Sequence, residues 1–178
     1  KPISFEVVSD DINEMKEQAK KLSSYGPNIY VKIPVSNSKG EETTEVISEL
    51  TNLNIKLNIT AIFTIDQIQK IIETVSPKED IILSIFAGRI ADTGRDPTDI
   101  FIESKNLIQK KSKKIKLLWA SVREVYNIYQ AANVGSDIIT VTPDALSKIV
   151  LMNKNLDEYS IETVKMFYED AKKGNIKI

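Results

Sequence analysis

Lys32 stands in the segment Ile29-Tyr-Val-Lys-Ile-Pro34, a single cation inside an otherwise apolar, β-rich run. A lysine in that setting is paired, desolvated or chemically used. A desolvated amine gives up part of its proton affinity and becomes a nucleophile able to form a Schiff base with a carbonyl. The competing reading is a strand-end lysine whose stem packs while its ammonium reaches water. Other apolar runs carry polar residues too. The first has Ser4 and Glu6, the third Asn58 and Thr60, and the fourth Ser84; the fifth ends at Ser121 with Arg123 just beyond. Residues two apart on a strand share a face. Ser4 therefore goes with Glu6, Asn58 with Thr60, Ser84 with Phe86, and Ser121 roughly with Arg123.

Taken singly, each of these is an ordinary satisfied polar residue, and Lys32 with Glu6 is a structural ion pair. Taken jointly, they are expensive. Lys, Glu, Asn and Arg on a strand covered on both faces cost free energy unless they serve one another. A shared face would make them a small polar chamber for a hydroxylated, anionic ligand. In such a chamber Lys32 attacks a ketone, giving a carbinolamine and then an imine. The protonated imine stabilises a neighbouring carbanion as an enamine. Proton transfer falls to a carboxylate, directly or through a water held by Glu6 and Thr60. Arg89 and Arg123 offer planar donor forks suited to phosphate. This chemistry needs no metal and no cofactor.

Such a chamber requires strands that deliver their faces to one place. Six β-rich runs occur, Ile3–Val8, Ile29–Val35, Leu57–Phe63, Ile81–Ala87, Ile115–Ala120 and Ile138–Val141. Helical patterns separate them at Ile12–Leu22, Glu41–Leu53, Ile65–Val75, Thr98–Lys110, Val122–Ala132 and Ala145–Leu151. A last helix is predicted over Leu156–Lys172. A repeating βα unit with nearly continuous apolar strands means an α/β fold with a parallel sheet covered by helices. Both an open doubly wound sheet and a (β/α)8 barrel fit; six units are present where a barrel has eight. The first strand is not followed by a Gly-rich phosphate loop, which weighs against a dinucleotide fold. Gly88–Pro97 is the longest irregular stretch, predicted as a loop at the C-terminal edge of the strands.

The chain has 178 residues, enough for one domain with a substantial core, and a net charge of −1. That charge gives no reason to expect nucleic acid or an anionic membrane as partner. Cys and His are both absent. Disulfides, thiol chemistry, imidazole catalysis and the usual zinc ligands are therefore excluded. No apolar run approaches the length of a membrane span, and a cytoplasmic location is expected.

The segments Tyr-Val-Lys-Ile-Pro, Leu-Asn-Ile-Thr-Ala-Ile-Phe, Ser-Ile-Phe-Ala-Gly-Arg-Ile and Ala-Ser-Val-Arg, in that order, resemble the transaldolase family. That family includes the small transaldolase-like proteins and the fructose-6-phosphate aldolases. The resemblance runs from Ser4 to about Leu151, and four motifs in register on successive strands make it specific. It implies a class I aldolase on a (β/α)8 TIM barrel, with Lys32 as the Schiff-base lysine and Glu6 and Thr60 holding the catalytic water. It further implies Asn58 and Ser84 as ligands of substrate hydroxyls, Arg89, Ser121 and Arg123 as the phosphate site, and Phe86 on the pocket wall. Related fructose-6-phosphate aldolases tend to carry Gln and Tyr at the positions of Glu6 and Phe86, so both residues lean toward transaldolase. The implied reaction moves a dihydroxyacetone unit between sugar phosphates, as in the pentose phosphate pathway. Sugar phosphates are then the small-molecule partners, and homo-oligomerisation is left open.

The chain also departs from the family pattern. Family members begin with a strand carrying an acid/base Asp, then one carrying a Thr-Thr-Asn-Pro-type motif, and neither is found. The expectation is a single barrel domain over residues 1–178 that lacks the first two βα units, from which an N-terminal piece was removed or left out, as the non-Met start also suggests. Two other functions stay open: a fructose-6-phosphate aldolase-like lyase, and a sugar-phosphate-binding pseudoenzyme without a proton shuttle.

Overall fold

The computed structural model describes residues 1–75, 80–112 and 114–175. Its core follows from strand periodicity. Val31 and Ile33, Leu57 and Ile59, Leu83 and Ile85, and Leu117 and Trp119 take alternate positions on four successive strands, and none is more than 1% exposed. The strands are β1 (Ile3–Glu6), β2 (Ile29–Pro34), β3 (Leu57–Ile62), β4 (Ile81–Ile85), β5 (Ile115–Trp119) and β6 (Ile138–Ile139). They form one parallel sheet in the order β1-β2-β3-β4-β5-β6. Every crossover thus steps one strand in the same direction. Right-handed crossovers of that kind put all their helices on one face. A doubly wound sheet would reverse its order at a switch point, and this sheet does not. Six βα units of a singly wound, barrel-type wall are present among the described residues.

The helices are α1 (Ile12–Ser23), α2 (Thr44–Asn52), α3 (Ile65–Thr74), α4 (Ala87–Ala91), α5 (Thr98–Lys111), α6 (Tyr126–Asn133), α7 (Pro143–Ser147) and α8 (Leu156–Lys173). Local chemistry sets their starts. Asp11 caps α1 by accepting from the backbone N–H groups of Asn13 and Glu14 at 2.9 Å. Thr64 and Gln67 form a reciprocal capping box on α3. Met15, Val46, Ile47, Leu50, Ile68, Ile71, Phe101 and Ile108 bring α1, α2, α3 and α5 onto the outer face of the sheet in one apolar core. Phe101 stacks on Trp119 with ring centroids 4.5 Å apart. A separate, smaller apolar cluster of Tyr30, Ile82, Leu118 and Ala120 lies on the opposite face.

Three expectations need correction. The stretch Gly88–Pro97 is not wholly irregular, since its first residues belong to the short helix α4. The helical pattern Ala145–Leu151 divides between α7 and a 3-10 turn at Lys148–Leu151. The first strand is not a buried parallel strand: all four residues of β1 are exposed, because only β2 pairs with it among the described residues. Helix α8 buries none of its side chains, and Ile161, Val164 and Phe167 are exposed on it. Among the described residues, no helix is long and apolar enough to cross a membrane.

Phe101→Ala should cost about 3–5 kcal/mol, as for other large aromatic truncations in a packed core. Trp119→Phe should cost less, because it also removes an indole N–H that is buried without a hydrogen-bond partner. Urea unfolding of the two variants tests this order.

Candidate active site

The inner face of the sheet carries the polar set, and strand register brings it together. Glu6 lies opposite Lys32 on the next strand, and Lys32 lies opposite Asn58 on the one after. One row across β1, β2 and β3 therefore holds a carboxylate, an amine and an amide. The Lys32 ammonium donates to Glu6 Oε2 at 3.0 Å. Its side chain is 28% exposed and that of Glu6 is 50% exposed. Lys32 is thus reached by solvent from the cavity, rather than sealed within the sheet. Beside it, the Ser84 hydroxyl donates to Asn58 Oδ1 at 2.6 Å, and Asn58 Nδ2 donates to Ser4 Oγ at 3.1 Å. This chain of bonds fixes the amide of Asn58, which is only 4% exposed.

A cavity of about 450 Å³ opens on this face. Six of the nine residues named from sequence line it: Lys32, Asn58, Ser84, Phe86, Arg89 and Ser121. Leu118 and Ala120 supply an apolar patch, and Ser4 and Thr140 add two hydroxyls. The size suits a small polar metabolite, whose pockets run from about 300 to 1,000 Å³. The other three residues are placed differently. Glu6 is reached through its bond to Lys32. Thr60 is 1% exposed, and its hydroxyl has no hydrogen-bond partner among the described residues. Arg123 is exposed and turned to Asp92, its Nη2 donating to Oδ2 at 2.6 Å.

Two local distortions shape the rim. On β3 the register shifts between Ile59 and Ile62, and Ala61 takes a left-handed backbone conformation at φ 58°. The extra residue keeps Ile62 on the helix-covered side while Asn58 stays on the inner one. At the end of β5, Ser121 sits at φ 64°, a conformation that costs a non-glycine residue about 1–2 kcal/mol. Helix α4 presses against that turn: a Cβ on Gly88 would lie 1.6 Å from the Ser121 carbonyl oxygen. Glycine lets α4 approach closely enough to place Arg89 at the cavity, with its guanidinium 5.7 Å from the Phe86 ring centroid.

Reading by residue type missed two contributors. Thr140 follows Ile138 at the same parity, so its position on the inner face was available in the pattern. Asp92, four residues after Gly88, carried no signal beyond being a carboxylate in a presumed loop.

Gly88→Ala should lower stability by roughly 2–4 kcal/mol, since backbone must move to relieve the clash; thermal unfolding measures it. Thr60→Val removes an unpaired buried hydroxyl. It should leave stability unchanged or raise it by about 1 kcal/mol, while a loss of turnover in the same variant would mark the hydroxyl as functional.

The family model for Transaldolase/Fructose-6-phosphate aldolase matches residues 1–178. A probable transaldolase of Thermoplasma volcanium is 33% identical over 172 residues, covering 97% of this chain and 71% of the relative. A probable transaldolase of Nitrosopumilus maritimus is 28% identical over 174 residues, covering 97% and 74%. One of Mesorhizobium japonicum is 30% identical over 167 residues, covering 92% and 73%. With 97% of the chain covered in the first two pairs, the similarity is not confined to one motif. The chain belongs to the transaldolase/fructose-6-phosphate aldolase family.

Proposed function

We propose that the cavity is the site of a transaldolase-type Schiff-base reaction that transfers a dihydroxyacetone unit between sugar phosphates. The observation that carries this reading is the row Glu6–Lys32–Asn58 on neighbouring strands, with the amine at the wall of a cavity and a carboxylate 3.0 Å from it. Glu6 takes a proton from the Lys32 ammonium. The freed amine attacks the ketone carbon of the donor, and loss of water gives the protonated imine. Base removal of the proton from the hydroxyl on the carbon β to the imine then breaks the bond between the α and β carbons. The bonding pair moves into the enamine, and the aldehyde product leaves. Attack of that enamine on an acceptor aldehyde reverses these steps, and hydrolysis frees Lys32. Asn58 and Ser84 offer an amide and a hydroxyl to substrate hydroxyls. Arg89 and Ser121, at the other end, offer donors to the phosphate, and Arg123, held by Asp92 outside the lining, joins them by swinging inward. The setting proposed is cytoplasmic sugar-phosphate metabolism, the pentose phosphate pathway in particular.

A second reading is favoured by a specific observation: among the described residues none that lines the cavity is Asp or Glu, and the carboxylate bonded to Lys32 is that of Glu6. Binding, or imine formation without turnover, follows if Glu6 does not suffice. A lyase that needs no acceptor uses the same residues.

Incubation with fructose 6-phosphate followed by borohydride should fix one sugar unit on Lys32, located by peptide mass mapping. Lys32→Met should abolish the adduct and keep the fold, since an aliphatic chain of similar length replaces the cation. Absence of any adduct in the unaltered chain would sink the transferase and lyase readings together. Product formation that requires an acceptor aldehyde selects transferase over lyase.

A further inference from the structure

Arg123 does not line the cavity and is paired with Asp92 instead. Its carboxylate holds Arg123 Nη2 at 2.6 Å, with both side chains about half exposed. The main chains on either side are anchored. The Arg123 backbone N–H donates to Asn127 Oδ1 at 2.8 Å, and the Asp92 backbone N–H donates to the Gly88 carbonyl at 2.9 Å as the end of α4. Arg123 can therefore swing its fork while its backbone stays fixed. Asp92 rides on the short helix that places Arg89 at the cavity. An anion held by Arg89 and Ser121 gains Arg123 only by sharing its donors with a carboxylate or by displacing it. Sharing sets two negative groups beside each other and displacement breaks the Arg123–Asp92 ion pair; either raises the cost of a phosphate but not of a neutral sugar.

The geometry points to Asp92 as a specificity-determining residue, an internal anion that competes with the substrate phosphate for Arg123. This rests on the reading of the Arg89–Ser121 end of the cavity as the phosphate site. Asp92 is a positioning residue that acts through Arg123. Its removal weakens the discrimination against phosphate, and its conservative replacement keeps it.

Isothermal titration of the full chain with inorganic phosphate, fructose 6-phosphate and fructose tests the assignment. Asp92→Asn should tighten binding of both phosphate-bearing ligands about two- to fivefold, the range set by the worth of an exposed ion pair. Fructose affinity should not change, and Asp92→Glu should behave as the unaltered chain does. The gain should vanish when Asp92→Asn is combined with Arg123→Ala. Unchanged or weaker phosphate binding in Asp92→Asn would overturn the proposal, as would a gain that persists without Arg123. Arg123→Ala separates the two levels. If it weakens phosphate binding while Asp92→Asn gives no gain, only the role of Asp92 falls. If it leaves phosphate binding unchanged, Arg123 takes no part and the assignment of Asp92 falls with it, whereas unchanged phosphate binding in Arg89→Ala would sink the phosphate-site reading itself.

Discussion

Everything at the candidate site depends on the two-residue alternation of strands in a sheet wound in one direction. Because the helices share one face, each strand has an apolar side fixed by packing and a second side freed from it. Val31 and Ile33 must face the helices, so Lys32 must face away. Leu57 and Ile59 do the same for Asn58, and Leu83 and Ile85 for Ser84. Parallel register then sets Glu6, Lys32 and Asn58 side by side. A one-residue slip in any strand would bury the polar group in the outer core and expose an Ile or Leu. The apolar core is thus what holds the amine in place.

The energetics divide in the same way. The outer face contains the fully buried large side chains and the Phe101–Trp119 stack. The polar face offers little stability. A half-exposed ion pair such as Lys32–Glu6 is worth about 0–1 kcal/mol. Thr60 keeps a buried hydroxyl unpaired, Ser121 holds a left-handed backbone, and Gly88 allows an approach that no side chain would. Ser121 lines the cavity and Gly88 packs against its carbonyl, while Thr60 lies outside the lining. The left-handed Ser121 and the close approach of Gly88 are the strained features at the cavity that the proposed function would use.

Much of this was legible in the sequence because it is periodic. Six strands, the long helices and the shared face of Lys32, Asn58 and Ser84 follow from alternation and from apolar spacing. What escaped was set by long-range geometry. The exposure of β1 depends on having a single neighbour in the sheet, which no residue within it encodes. Helix α4 is five residues long, too short for a helical period to declare itself, and its position depends on Gly88 meeting Ser121 across two loops. The bulge at Ala61 leaves only a small break in parity between Ile59 and Ile62. Arg123 was readable as an anion ligand by type, but its partner Asp92 lies 31 positions away and is brought to it only by the fold.

The most direct measurement is a crystal structure of the borohydride-reduced complex with fructose 6-phosphate. The account predicts a covalent bond from Lys32 Nζ to the former ketone carbon. Hydroxyls of the retained dihydroxyacetone unit should lie within hydrogen-bond distance of Asn58 and Ser84, and in any adduct trapped before carbon–carbon cleavage the phosphate should lie against Ser121 and Arg89. A sugar fixed to another lysine, or one bound at Lys32 with its phosphate pointing away from Ser121, would contradict it.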